Sequence, residues 1–278
     1  MSKLLIVNAD DFGHTQGVSA GILDAHRRGI VTSTTALMNK PGVESALQKA
    51  RQICPGLGLG VHLVLTAGRP ILPPAVIPSL VDKKGQFRGL KELITGLDSL
   101  ELSEVRAEWM AQIDLFVKAT GQKPDHLDAH HFCSCLSPAL FELMLNLAGK
   151  LSVPIRMPFR DGSEFVIGDL PEKERNSILE AYPHLLEHFH QPFPRNFITS
   201  FYGQGISILS LKNILEHLPE GSSELMCHPG YADDELKSNS NYSSMREREH
   251  KVLTNDRIKT CLLEQGIKLI GFAQLPYK

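Results

Sequence analysis

Two adjacent carboxylates, Asp10 and Asp11, follow an apolar run near the start of the sequence. The run is Leu4-Leu5-Ile6-Val7, which predicts a short buried strand. An isolated buried carboxylate is too unfavourable to persist, so each must be solvated, ion-paired or bound to a metal. Neighbouring strand residues point to opposite faces, so two carboxylates sharing one site require a backbone turn, which Gly13 permits. Alternatively, Asp11 caps the next helix and Asp10 is a surface charge.

Three histidines, His62, His130 and His228, fall at the C-terminal ends of other predicted strands. A carboxylate and two imidazoles leave coordination positions open, which is typical of a catalytic metal site, and Asp11, His62 and His130 could form one. We then expect Asp10 to be the general base that takes a proton from water, and His228 to protonate the leaving group. Taken singly, each histidine is better explained as a hydrogen-bonded residue of the core.

Further polar residues lie beside these candidates. Asp128 stands two residues before His130 on the same predicted strand face, where it could orient a metal ligand; otherwise it is a surface or cap carboxylate. His131 follows the candidate ligand directly and could contact substrate or support the ligand. Arg156, at the end of another predicted strand, is either an ion-paired residue of the rim or a substrate clamp.

The cysteines allow two competing interpretations. Cys133 and Cys135, together with His130 and His131, suggest a zinc knuckle, but the spacing is unusual and a second ligand pair is missing; buried thiols are the alternative. Cys227 beside His228 suggests a nucleophile and its base, although adjacent strand residues face opposite ways.

Strand and helix signals alternate along the chain. Predicted strands cover residues 4–7, 31–38, 57–65, 124–131, 153–157, 197–202, 224–227 and 267–272. This rhythm predicts βαβ units around a parallel sheet of about seven strands, either open or closed into a (β/α) barrel. A barrel is favoured because the candidate residues gather at C-terminal strand ends, where such barrels carry their active sites.

The segments between these strands give three more expectations. One helix is predicted over residues 246–265, and the polar segment 231–242 is predicted to be a loop. Residues 67–100 are rich in Pro and Gly and indicate a lid or binding loop, whereas residues 161–195 are hard to place. Trp109 lies on the apolar stripe of a predicted helix, so we assign it to the core rather than to a sugar platform.

The composition predicts one folded domain over residues 1–278. Hydrophobic residues make up 42% of the 278, enough for a sizeable core, and the formal charge of −2 gives no reason to expect nucleic acid or an anionic membrane as partner. No apolar stretch approaches the roughly 20 residues that span a bilayer. The first apolar run is too short for a signal peptide and five cysteines argue against a disulfide framework, so a soluble cytoplasmic protein is expected.

Five motifs, in this order, resemble those of the YdjC-type carbohydrate deacetylases, which include the chito-oligosaccharide deacetylases. They are Leu5-Ile6-Val7-Asn8-Ala9-Asp10-Asp11-Phe12-Gly13, Gly29-Ile30-Val31-Thr32-Ser33-Thr34-Thr35-Ala36-Leu37, Gly60-Val61-His62-Leu63-Val64-Leu65-Thr66, Lys123-Pro124-Asp125-His126-Leu127-Asp128-Ala129-His130-His131 and Met226-Cys227-His228-Pro229. The first and fourth are fairly specific, and the set spans most of the chain.

The resemblance implies a distorted (β/α) barrel similar to polysaccharide deacetylases. It implies a divalent metal, Mg²⁺ or Zn²⁺, held by Asp11, His62 and His130, with Asp10 as base and His228 as acid. Imidazole is a poor magnesium ligand, which favours zinc or another transition metal. The family is often dimeric, so a homodimer is expected.

The resemblance also implies the substrate, an acetylated oligosaccharide from which N-acetyl groups are removed. O-deacetylation or another metal-dependent sugar reaction remains the alternative, as does a non-catalytic sugar-binding protein on the same fold. One departure concerns the fourth motif, which in the family commonly continues as His-His-His-x-His. Here His131 is followed by Phe132, Cys133, Ser134 and Cys135, so the role of the later histidines and the substrate preference can differ.

Overall fold

The computed structural model describes residues 2–158 and 170–277, within which a sheet of seven strands is surrounded by helices. The strands are β1 (Lys3–Phe12), β2 (Ser33–Ala36), β3 (Gly58–Leu63), β4 (Leu127–Ala129), β5 (Asn196–Ile198), β6 (Gly221–Cys227) and β7 (Ile267–Leu269). The helices are α1 (Gln16–Arg28), α2 (Val43–Ile53), α3 (Leu90–Thr95), α4 (Leu102–Thr120), α5 (Pro138–Leu151), α6 (Glu172–Glu187), α7 (Ile208–Glu216), α8 (Asp234–Asn239), α9 (Ser243–Leu253) and α10 (Asp256–Glu264).

All the strand pairs are parallel, and β1 is the centre of the sheet. The order is β4-β3-β2-β1-β6-β5. Strand β7 pairs with the first residues of β1, which precede those that pair with β2. The last eight residues of β1 are buried, as expected for a parallel strand covered on both faces. Strands β4 and β5 lie at opposite ends of the order, so the sheet is a half-barrel, and the predicted α/β class with about seven parallel strands is confirmed.

The helices begin where their sequences indicate and bury their apolar stripes against the sheet. Thr15, Ser137 and Ser207 each accept a hydrogen bond from a backbone N–H in the first turn of α1, α5 and α7. The Trp109 side chain on α4 is fully buried, so its assignment to the core is confirmed. No helix in the described ranges has both the length and the apolar character needed to cross a bilayer.

Several element boundaries differ from the sequence-based expectation. The predicted strand 153–157 makes only an isolated bridge, between Leu127 and Ile155, because Pro154 has no backbone N–H for a ladder. The helix predicted over 246–265 is two helices, since Asn255 accepts a hydrogen bond from the Arg257 N–H and starts α10. The segment predicted to be a loop contains α8, and α6 occupies part of 161–195, whose residues 161–169 lie outside the described ranges.

Candidate active site

The backbone of β1 changes direction at its two carboxylates. Its register against β2 shifts between Ala9 and Phe12, and Asp11 adopts a left-handed conformation with φ 70°. Such a conformation costs about 1–2 kcal/mol for most residues, but aspartate tolerates it better. Gly13, with φ 87°, completes the turn. Both side chains therefore reach one cavity, and the required turn involves Asp11 itself as well as Gly13.

Neither aspartate is a helix cap or a surface charge, so that alternative is wrong. Thr15 caps α1, where its Oγ1 accepts a hydrogen bond from the Val18 N–H at 3.2 Å. Asp10 and Asp11 are only 2% and 3% exposed. Both buried carboxylates need partners, and the partners that the structure gives them differ.

Asp11 lies between two imidazoles and a guanidinium. Its Oδ1 is 3.1 Å from His130 Nδ1 and 3.5 Å from His62 Nε2, and one nitrogen of each ring lies within 4.8 Å of the other and of this carboxylate. Its Oδ2 accepts a hydrogen bond from Arg246 at 2.5 Å. Burial alone would raise the pKa of Asp11, but Arg246 and His130 hold it well below its usual range. The carboxylate is therefore ionised, with Oδ1 directed at the two rings.

The donor set around Oδ1 fits a divalent metal. This buried oxygen accepts no well-aligned hydrogen bond from the residues described, an unusual state for a buried carboxylate. One carboxylate and two imidazoles are a common catalytic set for zinc and related transition metals. Asp11, His62 and His130 are thus positioned to share a cation, as the sequence predicted, although the ligand assignment itself stays a prediction.

Asp128 holds His62 in the orientation that a metal ligand needs. Its Oδ1 lies 2.5 Å from His62 Nδ1, and its Oδ2 accepts a hydrogen bond from Thr35 at 3.1 Å. The Nε2 of His62 is left facing Asp11. Burial alone would lower the pKa of His62, but Asp128 and the neighbouring Asp10 and Asp11 raise it to about 9. Asp128 is fully buried, so the surface-charge alternative for it is wrong.

Asp10 is bound by an arginine on both carboxylate oxygens. Arg156 donates to Oδ2 at 2.7 Å and to Oδ1 at 2.6 Å, and Asn8 donates to Oδ1 at 3.0 Å. The same guanidinium reaches Asp128 at 3.0 Å and Glu224 at 2.7 Å. Because Arg156 already serves three buried carboxylates, the geometry favours an ion-paired residue over a substrate clamp. It fixes the Asp10 carboxylate beside the proposed metal ligands.

His228 directly follows the last residue of β6 and lies near Asp10. Its Nε2 is 3.9 Å from Asp10 Oδ2, and its backbone N–H donates to Glu249 at 2.5 Å. Burial lowers the pKa of His228 to about 4, against the opposing effect of Asp10 and Asp11. The imidazole is therefore neutral at neutral pH and can take up a proton during a reaction.

His131 shares the cavity with His130 because the chain makes a second left-handed turn. His131 and Phe132 both have φ 52°, and the rings of the two histidines are 3.9 Å apart. Thr66 Oγ1 lies 3.0 Å from His131 Nδ1. Burial lowers the pKa of His131 to about 3, so this ring is neutral. Phe132 gives the cavity an apolar wall.

The cysteines take no part in this chemistry. All five are free and buried. Burial raises the pKa of both Cys133 and Cys135. Among the described residues, neither group of side chains that could share a metal ion contains a cysteine, which counts against a zinc knuckle. Cys227 donates to the Asn8 carbonyl at 3.2 Å, and burial raises its pKa well above the usual range, which counts against a nucleophile.

One cavity of about 620 Å³ has a volume typical of a site for a small organic ligand. Its lining includes the two aspartates, four histidines and the arginine described above: Asp10, Asp11, His62, His130, His131, His228 and Arg156. Along the chain, a family model described as YdjC-like protein matches residues 4–264. The chain belongs to the YdjC-like family.

Two relatives of this YdjC-like chain match almost its whole length. The "Carbohydrate deacetylase" of Enterococcus faecalis (strain ATCC 700802 / V583) is 37% identical over 99% of this chain and 98% of its own. The "Chitooligosaccharide deacetylase" of Yersinia pestis (strain Pestoides F) is 34% identical over 98% of this chain and 99% of its own. The family predicted from the five motifs is therefore confirmed.

Solved structures agree on the fold. A crystal structure of a candidate cellobiose-phosphate cleavage protein from Enterococcus faecalis V583 has a TM-score of 0.84 at 36% identity and covers 98% of both chains. A family 4 carbohydrate esterase from Streptomyces lividans, in complex with acetate, has a TM-score of 0.50 at 10% identity, and the match covers 96% of this chain and 90% of that one. The predicted similarity to the polysaccharide deacetylase fold is confirmed.

Four residues that contribute to the site of this YdjC-like chain were missed by the sequence analysis: Tyr202, Tyr242, Arg246 and Glu249. Arg246 and Glu249 lie on α9, one turn apart, so they face the site together. The sequence placed Arg246 at the start of a helix but gave no sign that it pairs with a carboxylate 235 residues earlier. Charged residues on the core-facing side of an amphipathic helix are the sequence signal that could have indicated them.

Proposed function

We propose that this protein is a metal-dependent deacetylase that hydrolyses the N-acetyl group of an amino sugar in acetylated chito-oligosaccharides. The observation that carries the proposal is the juxtaposition of two arrangements in one cavity. Asp11 Oδ1 faces His62 and His130, and next to them Asp10 lies 3.9 Å from His228. The names of the relatives in Enterococcus faecalis and Yersinia pestis support the same reaction and substrate class.

Asp11, His62 and His130 would hold the metal, and their imidazoles favour zinc or another transition metal over magnesium. When bound, a divalent metal supplies water with a pKa lowered from about 15.7 to about 7 and polarises a carbonyl group. Asp128 contributes by holding His62 with Nε2 towards the ligands. Arg246 contributes by donating to Asp11 Oδ2, so Oδ1 would be the oxygen free to hold a metal.

Asp10 is the general base. In the hydrolysis, water gains a bond to the acetyl carbon and gives a proton to Asp10, and the C–N bond then breaks to release acetate and a free amine. Arg156 and Asn8 hold the Asp10 carboxylate in a fixed orientation for this transfer. Because the carboxylate is already oriented, less conformational entropy is lost when it aligns with the water.

His228 is the general acid that protonates the departing amine. Because its imidazole is neutral before the reaction, it must gain a proton while the reaction proceeds. Asp10, 3.9 Å away, is the nearby group that has just accepted one. The two residues therefore pass one proton from the water to the amine, and the cycle ends with both in their starting states.

The substitution Asp10→Asn tests the proposal. The variant keeps a hydrogen-bonding side chain of the same shape but has no basic oxygen pair, so acetate release from diacetylchitobiose should fall by about 10²–10⁴-fold. Metal content, measured in parallel, should stay at the wild-type level. Asp256→Asn is the matched control, because Asp256 is an exposed carboxylate on α10. Turnover near that of the control would refute Asp10 as the base.

Cleavage of a glycosidic bond is the second candidate, since the similar Enterococcus faecalis structure is described as a candidate cellobiose-phosphate cleavage protein. Such cleavage commonly requires one carboxyl group that is protonated at neutral pH and acts as acid. Asp11 is held ionised by Arg246, and Asp10 is bound by Arg156 on both oxygens, so neither suits that role. The product separates the candidates: acetate with a free amine, acetate with a free hydroxyl after O-deacetylation, or two shorter sugars. Sugar binding without any product would instead indicate a binding protein.

The single domain over residues 1–278, the cytoplasmic location and the homodimer are part of the same proposal. Size-exclusion chromatography with light scattering tests the assembly. A monomer at micromolar concentration would contradict the homodimer without affecting the chemistry proposed above.

A further inference from the structure

A pair of stacked tyrosines forms one wall of the candidate active-site cavity. The rings of Tyr202 and Tyr242 are 4.5 Å apart and inclined by 7°. Tyr202 is 48% exposed, and among the large apolar side chains exposed by the described residues it is the one that lines this cavity. An exposed aromatic ring within a ligand cavity is a feature that substrate binding can explain.

Both tyrosines are supported by the residue that also supports the proposed acid. The Tyr242 hydroxyl donates to Glu249 Oε1 at 2.7 Å and accepts from the Gly203 N–H at 3.0 Å. The other oxygen of Glu249, which is fully buried, accepts from the His228 N–H. One carboxylate therefore fixes Tyr242, on which Tyr202 stacks, and the backbone of His228.

The position of this pair relative to His228 indicates what it binds. The Tyr202 and His228 rings meet edge to face with centroids 5.4 Å apart. Under the proposed mechanism His228 protonates the nitrogen on the sugar, so the pyranose that carries the acetamide must lie beside His228. A pyranose has an apolar C–H face and polar edges, which suits an aromatic ring with a polar tip. Burying that face against Tyr202 removes apolar area from water and leaves the sugar hydroxyls at the edges.

We propose that Tyr202 is the stacking platform for the pyranose ring whose acetamide is hydrolysed, which makes it a specificity-determining residue. The inference rests on the proposed function, because it uses the role of His228. It assigns sugar binding to Tyr202 rather than to Trp109, which is the single tryptophan and is fully buried. Tyr242 and Glu249 are positioning residues, since they act through Tyr202 and His228.

The test compares Tyr202→Ala with Tyr202→Phe on diacetylchitobiose and on N-acetylglucosamine. Loss of the ring should raise KM about 10- to 100-fold on both sugars, as for other buried aromatic contacts, with kcat within about threefold of wild type. Tyr202→Phe keeps the ring and should stay within about threefold of wild type in KM. Tyr277→Ala is the matched control, since Tyr277 is 73% exposed and lies outside the cavity. Metal affinity should be equal in all variants.

Three results would overturn the platform. They are a KM for Tyr202→Ala within about threefold of wild type, an equal loss in Tyr202→Phe, and a loss confined to the disaccharide, which would place a different ring on Tyr202. Failure of the proposed function itself looks different, because the wild type would then release no acetate from either sugar. In that case calorimetric titration with diacetylchitobiose decides, and equal Kd values for wild type and Tyr202→Ala overturn the platform.

Discussion

Metal affinity should rise steeply with pH, because His62 must lose a proton before it can bind a metal. The carboxylates around His62 raise its pKa to about 9 despite its burial. Below that pH His62 is protonated in the metal-free protein, so each unit fall in pH lowers the apparent affinity for the metal about tenfold. Between pH 9 and pH 7 the expected loss is about a hundredfold, or about 2.7 kcal/mol.

Calorimetric titration with Zn²⁺ at about pH 6.5, 7.5 and 8.5, in two buffers of different ionisation enthalpy, measures both parts of this prediction. The affinity should climb across the series, and about one proton should be released per metal bound at the middle pH. Asp128→Asn removes the main anion that raises the pKa of His62, so its affinity should depend less on pH. It should also bind about 10- to 100-fold more weakly at high pH, because the ring loses its support.

The control is Asp256→Asn, an exposed carboxylate distant in sequence from every proposed ligand, which should reproduce the wild-type curve. A wild-type affinity that is flat over this pH range, with no proton release, would refute the reasoning. The electrostatic argument for His62 would then be wrong even if the three ligands were right.

The remaining predictions concern stability and the excluded alternatives. Burial raises the pKa of Glu224 to about 7 against the effect of Arg156, so the folded state holds a proton that the unfolded state gives up near pH 4.5. Wild-type stability should therefore fall by about 3 kcal/mol from this group between pH 4.5 and 7, and Glu224→Gln should remove that loss in denaturant titrations; parallel curves would contradict it. Cys135→Ser should leave the metal content measured by elemental analysis unchanged, whereas the loss of one metal ion per chain would support the zinc knuckle. Trp109→Phe should lower the free energy of unfolding by about 1–3 kcal/mol with KM unchanged, and a raised KM would contradict its place in the core.

The sequence predicted the parallel sheet and the residues at its C-terminal edge for a physical reason. Parallel strands end on one edge, so polar residues that follow apolar runs must meet there. Asp11, His62 and His130 met this condition, although they are far apart in the chain. Carboxylates are rarely buried unless they have a partner or hold a metal. The paired carboxylates at the end of an apolar strand therefore indicated a site.

The residues that escaped prediction lie on elements whose placement depends on tertiary packing. Arg246 and Glu249 belong to α9, which packs against α1, and their partners Asp11 and His228 lie outside that helix. Tyr202 and Tyr242 come from two loops that stack only after folding. Local periodicity carries no information about such pairs.

Two boundary errors had a local cause that the sequence did contain. Asn255 followed by Asp256 is a helix start, which explains why the predicted helix 246–265 is divided. Pro154 lacks a backbone donor, and although its carbonyl accepts from the Leu127 N–H at 3.0 Å, a regular strand does not form. In both cases the prediction followed the apolar pattern and ignored a single residue that interrupts the helix or strand.

The left-handed turn at Asp11 means that the backbone, more than side-chain rotamers, determines how the two carboxylates are arranged. A designer who wished to transfer the pair to another parallel sheet would have to transplant the bulge between Ala9 and Phe12 and the glycine after it, since grafting two aspartates onto a regular strand would send them to opposite faces. The same turn restricts what can replace Asp11. Asn and Gly suit its φ of 70°, whereas a β-branched residue would shift the backbone and displace Asp10 as well.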